Sequence, residues 1–188
     1  APTSAGKSYV VMEYLCETAI AAERFVALYI APTRALLAEI QSKLEKRLTA
    51  VDNKLRVTTI PVLDPEDRPK QIYVLTQERA QLLLSSVNVN GLINLVIIDE
   101  AQAIGDESRG MILQDAVEKI RPGNPNARLL FLAPGASGFG LVGDSVGLSQ
   151  LDVMETGLSP VVQNRISVRF PKENEHLVEL DLVTSERL

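Results

Sequence analysis

Residues 1–8 read Ala1-Pro2-Thr3-Ser4-Ala5-Gly6-Lys7-Ser8, and a helical apolar pattern starts directly behind them. A short loop of small residues running into a helix N-terminus turns successive backbone N–H groups towards one point, which suits anionic oxygens. Gly6 has no Cβ, so the backbone can come close to a phosphate there. Lys7 brings a mobile positive charge for the terminal phosphates, and Ser8 a hydroxyl for Mg²⁺. The usual phosphate-loop pattern is Gly, four residues, then Gly-Lys-Ser/Thr; Ala1 stands where the first Gly would be. The plain alternative is a Ser/Gly turn that caps a helix and leaves Lys7 in water. The remainder of the chain decides between the two.

Outward from the loop, helical and strand patterns alternate. Residues 8–22 place Val10, Val11, Tyr14, Leu15, Ala19 and Ala22 at helical spacing. Residues 24–30 (RFVALYI) are nearly all apolar and stop at Pro32, which suits a strand buried on both faces. Thr33 is placed to cap a helix over 35–48, with Leu36, Leu37, Ile40, Leu44 and Leu48 turned inward. Residues 55–63 alternate and then break in the Pro/Asp-rich 64–69, read as a surface loop. A short strand is predicted over 71–75 (QIYVL), a cap at Thr76, a helix over 77–85 and a turn over 88–91. Residues 92–98 (LINLVII) are the most apolar run and end in Asp99-Glu100.

A further helix is predicted over 110–120, closed by Arg121-Pro122-Gly123, and a buried strand over 128–133 (RLLFLA). The Gly-rich 135–151 reads as a loop or a weak helix. Residues 161–170 and 177–183 alternate, as half-exposed strands or an extended linker would.

This succession predicts an α/β domain with a mostly parallel sheet and helices on both faces. In such sheets ligands bind where strand C-terminal ends meet helix N-termini. Pro32-Thr33-Arg34, Thr76-Gln77-Glu78-Arg79, Asp99-Glu100-Ala101-Gln102 and Pro134-Gly135 all follow strands, so they are expected along one edge. The expected organisation is one domain over 1–158 and an extended segment or linker over 159–188. A phosphate loop normally follows a buried strand, so a first strand is expected to be missing here or supplied from elsewhere.

Composition sets further bounds. With 188 residues, 46% hydrophobic and 23% charged, the chain can bury a sizeable core. A net charge of -5 gives no general attraction to nucleic acid, so any such contact is local. Cys16 is the lone cysteine, which excludes an internal disulfide and a Cys-based zinc site; it reads as a small buried helix residue. The lone His176 excludes a His-rich metal site. No run approaches the roughly 18 apolar residues that span a bilayer, and no signal-peptide layout is present. The expectation is a cytoplasmic protein, nuclear if the source is eukaryotic, with no membrane partner.

The acidic pair at the end of the most apolar run carries chemistry. A carboxylate at Asp99 can hold the water shell of a Mg²⁺ that Ser8 and a nucleotide also bind. Glu100 beside it can orient or deprotonate an attacking water. Two adjacent acids at a buried strand end are costly without a compensating cation. The alternative is a solvated turn that caps the next element.

Together these stretches resemble superfamily 2 helicases. Ala1 to Ser8 looks like motif I, Ala31-Pro32-Thr33-Arg34-Ala35-Leu36 like motif Ia, Thr76-Gln77-Glu78-Arg79 like motif Ib, and Asp99-Glu100-Ala101-Gln102 like motif II. Their order and spacing resemble the first RecA-like domain of DExH/DEAD-box proteins, a P-loop NTPase fold. Residues 99–119 are most similar to the Ski2-like group. The resemblance is good over about 1–135 and loose beyond.

It implies an ATP-dependent helicase or translocase with ATP and Mg²⁺ as ligands. Pro2, Thr3, Ser4, Ala5, Gly6, Lys7 and Ser8 would hold the phosphates, with Ser8 and Asp99 on Mg²⁺. Glu100 would activate water, and Gln102 would bridge the nucleotide site to a partner domain. Pro32, Thr33, Arg34, Thr76, Gln77, Glu78 and Arg79 would grip the backbone of single-stranded or partly duplex DNA or RNA. Gripping the backbone suits a motor that crosses any sequence.

The sequence departs from the family pattern at two motifs. Gln102 stands where the group usually has His, and Leu132-Ala133-Pro134 where motif III usually reads Ser-Ala-Thr. Nothing in the chain resembles the second RecA-like domain or its arginine finger, a group worth ~10³–10⁵ in rate in related systems. The second domain is therefore an expected partner from the same parent chain. A nucleotide-gated interaction module without unwinding activity is the rival reading. A small-molecule kinase is weaker, since it leaves Pro32-Thr33-Arg34 and Thr76 to Arg79 without a role.

Overall fold

The runs read as strands buried on both faces lie in the middle of a parallel sheet. The computed structural model describes residues 6–48, 50–62, 69–86, 89–101, 115, 118–133, 165–169 and 179–183. β1 (Phe25–Ile30) lies between β3 (Lys70–Leu75) and β4 (Leu95–Ile98). β2 (Leu55–Thr58) lies outside β3, and β5 (Arg128–Phe131) outside β4. Every pairing among them is parallel. Ile30 is level with Leu75 on one side and with Ile98 on the other, so β1, β3 and β4 finish at one edge.

Side chains alternate across the sheet. Phe25, Ala27 and Tyr29 share a core with Met12, Leu15, Cys16 and Ala19 of α1 (Lys7–Ala21). Leu37, Ile40, Leu44 and Leu48 of α2 (Arg34–Leu48) complete that face. Val26, Leu28 and Ile30 face the other way, onto Ala80 and Leu83 of α3 (Gln77–Ser86) and onto Ile120. Burial on both sides is why these strands are continuously apolar. The chain is thus a RecA-like P-loop NTPase fold, with helices on both faces of a parallel sheet. β1 leads through α2 to β2 on one side, whereas β3 leads through α3 to β4 on the other. That reversal opens a crevice at the carboxyl ends of β1 and β4, where ligands bind in this class of sheet.

Local signals hold at several element ends. The Leu36 N–H donates to Thr33 Oγ1 at 3.2 Å, so Thr33 caps α2 as predicted. Arg79 N–H reaches Thr76 Oγ1 at 3.5 Å, a long contact at the start of α3. At the opposite edge of the sheet, Lys70 is buried and donates to Asp52 Oδ2 at 2.8 Å and to the Ile20 carbonyl at 3.0 Å.

Other expectations shift. The strand predicted from residue 92 begins at Leu95. Asn94 instead exchanges hydrogen bonds with Val26, its Oδ1 accepting at 2.8 Å and its N–H donating at 2.9 Å. β5 is half-exposed rather than buried, because it ends the strand order among the described residues. The stop predicted at Arg121-Pro122-Gly123 comes later, since residues 118–123 are helical. Gly123 serves packing: a Cβ there would collide with the Asn90 side chain. β6 (Arg165–Arg169) and β7 (Glu179–Val183) pair antiparallel, so these alternating stretches are strands. The predicted loop over 64–69, apart from Pro69, and the Gly-rich 135–151 lie outside the described residues.

Candidate active site

α1 starts from Gly6, whose φ of 70° and ψ of 13° are left-handed, a conformation that glycine adopts at little cost. Among the described residues, nothing lies within 4 Å of the point where a Cβ would sit. Among the described residues no side chain caps this helix start, and its first turn holds no acid. A helix N-terminus of this kind favours an anion.

The acidic pair lies beyond β4. Asp99 is buried, 6% exposed, and its N–H donates to the Ile30 carbonyl at 3.0 Å. Its Oδ2 accepts from the Tyr29 hydroxyl at 2.8 Å, and its Oδ1 from the Glu100 N–H at 3.0 Å. Glu100 has a φ of 56°, the sole positive φ at a non-glycine among the described residues. Such a conformation costs about 1–3 kcal/mol and collects at functional sites. Behind it, the Ala101 N–H donates to the Leu132 carbonyl at 2.7 Å, and the Leu132 N–H to the Ile98 carbonyl at 2.9 Å. The position aligned with motif III is therefore fastened to the acidic turn. Leu132 and Ala133 are both buried there.

Tyr29 joins the two halves of the site. It lies on the α1 side of β1 and is fully buried. The Ser8 side chain lies near the same phenol that donates to Asp99. Burial pushes the Asp99 carboxyl above its usual range, and the Glu100 charge adds to this. The Tyr29 hydrogen bond, the Glu100 N–H and the Lys7 charge oppose that rise. The Tyr29 phenol is pushed well up, first by burial and then by the Asp99 charge, so it stays a neutral donor. Lys7, Ser8, Asp99 and Glu100 thus converge on one end of the sheet.

The remaining predicted residues divide. Pro32, Thr33 and Arg34 follow β1, and Thr76, Gln77, Glu78 and Arg79 follow the adjacent β3, so both groups lie on the edge that carries Asp99. Thr33, Arg34 and Glu78 are exposed, whereas Gln77 is buried. Arg79 is half-buried, and its Nη1 donates to the Thr59 carbonyl at 3.2 Å. Pro2, Thr3, Ser4, Ala5 and Gln102 lie outside the described residues. Sequence reasoning missed Tyr29, which hides inside an apolar run. Its signal is a phenol in a strand buried on both faces, since a buried tyrosine hydroxyl needs a partner.

Among the described residues no helix is long and apolar enough to cross a membrane. Residues 1–134 match the DEAD/DEAH box helicase family. The chain is 33% identical over 138 residues to the ATP-dependent DNA helicase Hel308 of Thermoplasma acidophilum, a match covering 70% of this chain and 20% of that protein. It is also 33% identical over 137 residues to the pre-mRNA-splicing factor brr2 of Schizosaccharomyces pombe, covering 64% of this chain and 6% of that one. The chain therefore spans a fifth or less of the length of these relatives. The fold resembles that of the DEAD-box helicase Mss116 bound to ssRNA and UDP-BeF, with a TM-score of 0.60 at 16% identity over 78% of this chain and 33% of that one. The match over residues 1–134 shows that the chain belongs to the DEAD/DEAH box helicase family, as a RecA-like ATP-binding domain similar to part of the Hel308 helicases.

Proposed function

We propose that this domain binds ATP with Mg²⁺ and that the whole protein hydrolyses ATP to move along, or unwind, DNA or RNA. The observation that carries this reading is the hydrogen bond from buried Tyr29 to Asp99, with Ser8 near that phenol and Lys7 near that carboxylate. The residues suit the ligands. Hydroxyl and carboxylate oxygens are hard donors of the kind Mg²⁺ takes.

Pro2, Thr3, Ser4, Ala5, Gly6 and Lys7 hold the phosphates in this reading, and Ser8 and Asp99 hold the metal. Magnesium, when bound, neutralises charge on the phosphate oxygens. Glu100 takes the proton of the attacking water. Gln102 bridges to the second RecA-like domain, which supplies the arginine finger. Pro32, Thr33, Arg34, Thr76, Gln77, Glu78 and Arg79 border the strand path in this reading, and Thr33, Arg34 and Glu78 are the exposed ones. We assign residues 1–158 to the domain and 159–188 to a segment leading towards the second domain, in a cytoplasmic or nuclear protein.

A second reading has its own support. Leu132 and Ala133 offer buried apolar side chains where the family usually has a hydroxyl-bearing motif. A nucleotide-gated clamp on nucleic acid or protein, without unwinding, fits that departure. ATP turnover by the full-length protein with single-stranded DNA, single-stranded RNA or neither separates the two. Turnover stimulated by either strand is expected of the motor. Nucleotide binding without turnover under all three conditions contradicts it and favours the clamp.

A further inference from the structure

We propose that Tyr29 is a positioning residue, whose hydroxyl holds the Asp99 carboxylate ready for magnesium; this rests on the nucleotide site proposed above. Most of the Tyr29 ring could be replaced by any aromatic filler of the α1 face. The hydroxyl could not. It is the polar atom of a fully buried side chain, and it donates to Asp99 Oδ2 at 2.8 Å. The other oxygen, Oδ1, accepts the Glu100 N–H at 3.0 Å. A carboxylate gripped at both ends cannot rotate freely, yet each oxygen keeps a lone pair for a water or a metal.

Ser8 lies near the same phenol. Ser8 lies on α1 and Asp99 beyond β4, and Tyr29 belongs to β1, the strand beside β4. Tyr29 therefore stands close to both groups assigned to the metal and holds Asp99 before any nucleotide arrives. Holding that carboxylate in place lowers the ordering that binding must otherwise supply.

The test is Tyr29→Phe in the full-length protein, with a fluorescent ADP analogue as probe and MgCl₂ titrated against EDTA. Affinity in EDTA should match the wild type. The magnesium concentration giving half of the metal-dependent tightening should rise on the order of tenfold, the usual scale for removing a group that orients a metal ligand. An unchanged magnesium requirement with a lower melting temperature would make the hydroxyl merely structural and overturn the proposal. A reduced requirement would make it a competitor of the metal and overturn it equally.

Asp99→Asn separates the two levels of inference. If it leaves magnesium dependence intact, the nucleotide site itself is misassigned and the proposal falls with it. If it removes that dependence while Tyr29→Phe does not shift it, the role of Tyr29 alone fails. A crystal structure of the wild type with magnesium and a non-hydrolysable ATP analogue needs no variant. The Tyr29 hydroxyl should remain within hydrogen-bond distance of Asp99, and a separated pair overturns the proposal.

Discussion

Glu100 combines a carboxylate with a left-handed backbone, and its N–H turns back onto the acid before it. Glu100→Gln keeps the shape and removes the base. We expect ATP binding within a few-fold of wild type and turnover reduced by about 10²–10⁴, read by equilibrium nucleotide binding beside steady-state hydrolysis. Loss of binding instead would remove Glu100 from the role of base. Lys7, Ser8, Asp99 and Glu100 were all legible in the sequence, because their chemistry is written in polar residues at the ends of apolar runs. Tyr29 was not, because its partner comes from a strand adjacent in space and distant in sequence.

Among the elements, the central strands were legible for a physical reason. β1 and β3 are buried on both faces along their full length, so no alternation blurs their apolar runs. The edges were less so. Leu92 and Ile93 extend the apolar pattern of β4, yet Asn94 between them and the strand directs its polar groups to Val26. Helix 118–123 outruns its Arg-Pro-Gly signal and then stops at Asn124. That buried side chain accepts the Ile93 N–H at 2.9 Å and donates to the Ile120 carbonyl at 3.0 Å. Asn124→Ala strands the Ile93 N–H, so a loss of about 1–3 kcal/mol is expected, measured by chemical denaturation.

The ion pair at the opposite edge joins the end of α1, the turn before β2 and the start of β3. The Lys70 hydrogen bond holds the Asp52 carboxyl below its usual range, with help from the Lys54 N–H. A depressed carboxyl adds stability above its unfolded pKa, about 3.9 for Asp, and loses it as pH falls through the depressed value. The melting-temperature gap between wild type and Asp52→Asn should therefore be full at neutral pH and close below about pH 4. A gap independent of pH would mean that the charge of Asp52 contributes nothing.

Across the whole molecule, net charge and proposed partner pull in opposite directions. A chain of net charge -5 is not drawn to a polyanion as a body, so the proposed binding is assigned to the edge that carries Arg34 and Arg79. Arg34 is exposed, whereas Arg79 is half-buried and tied to Thr59. Arg34→Ala should weaken single-strand affinity and lower the salt slope by about 0.7 for each phosphate that is no longer neutralised. Arg79→Ala should do the same and also lower the melting temperature, because its bond to Thr59 goes with it. Unchanged affinity and slope in both variants, from binding titrations across a salt series, would move the strand path elsewhere.

The most direct measurement is a double-mutant cycle of magnesium-dependent ATP-analogue binding to the full-length protein, using Lys7→Ala, Asp99→Asn and both together. If the lysine and the aspartate act on one bound triphosphate, each single change weakens binding. The double change then departs from their product by an interaction energy of about 0.5–3 kcal/mol. Intact binding in Lys7→Ala, or two effects that simply multiply, would contradict a shared site.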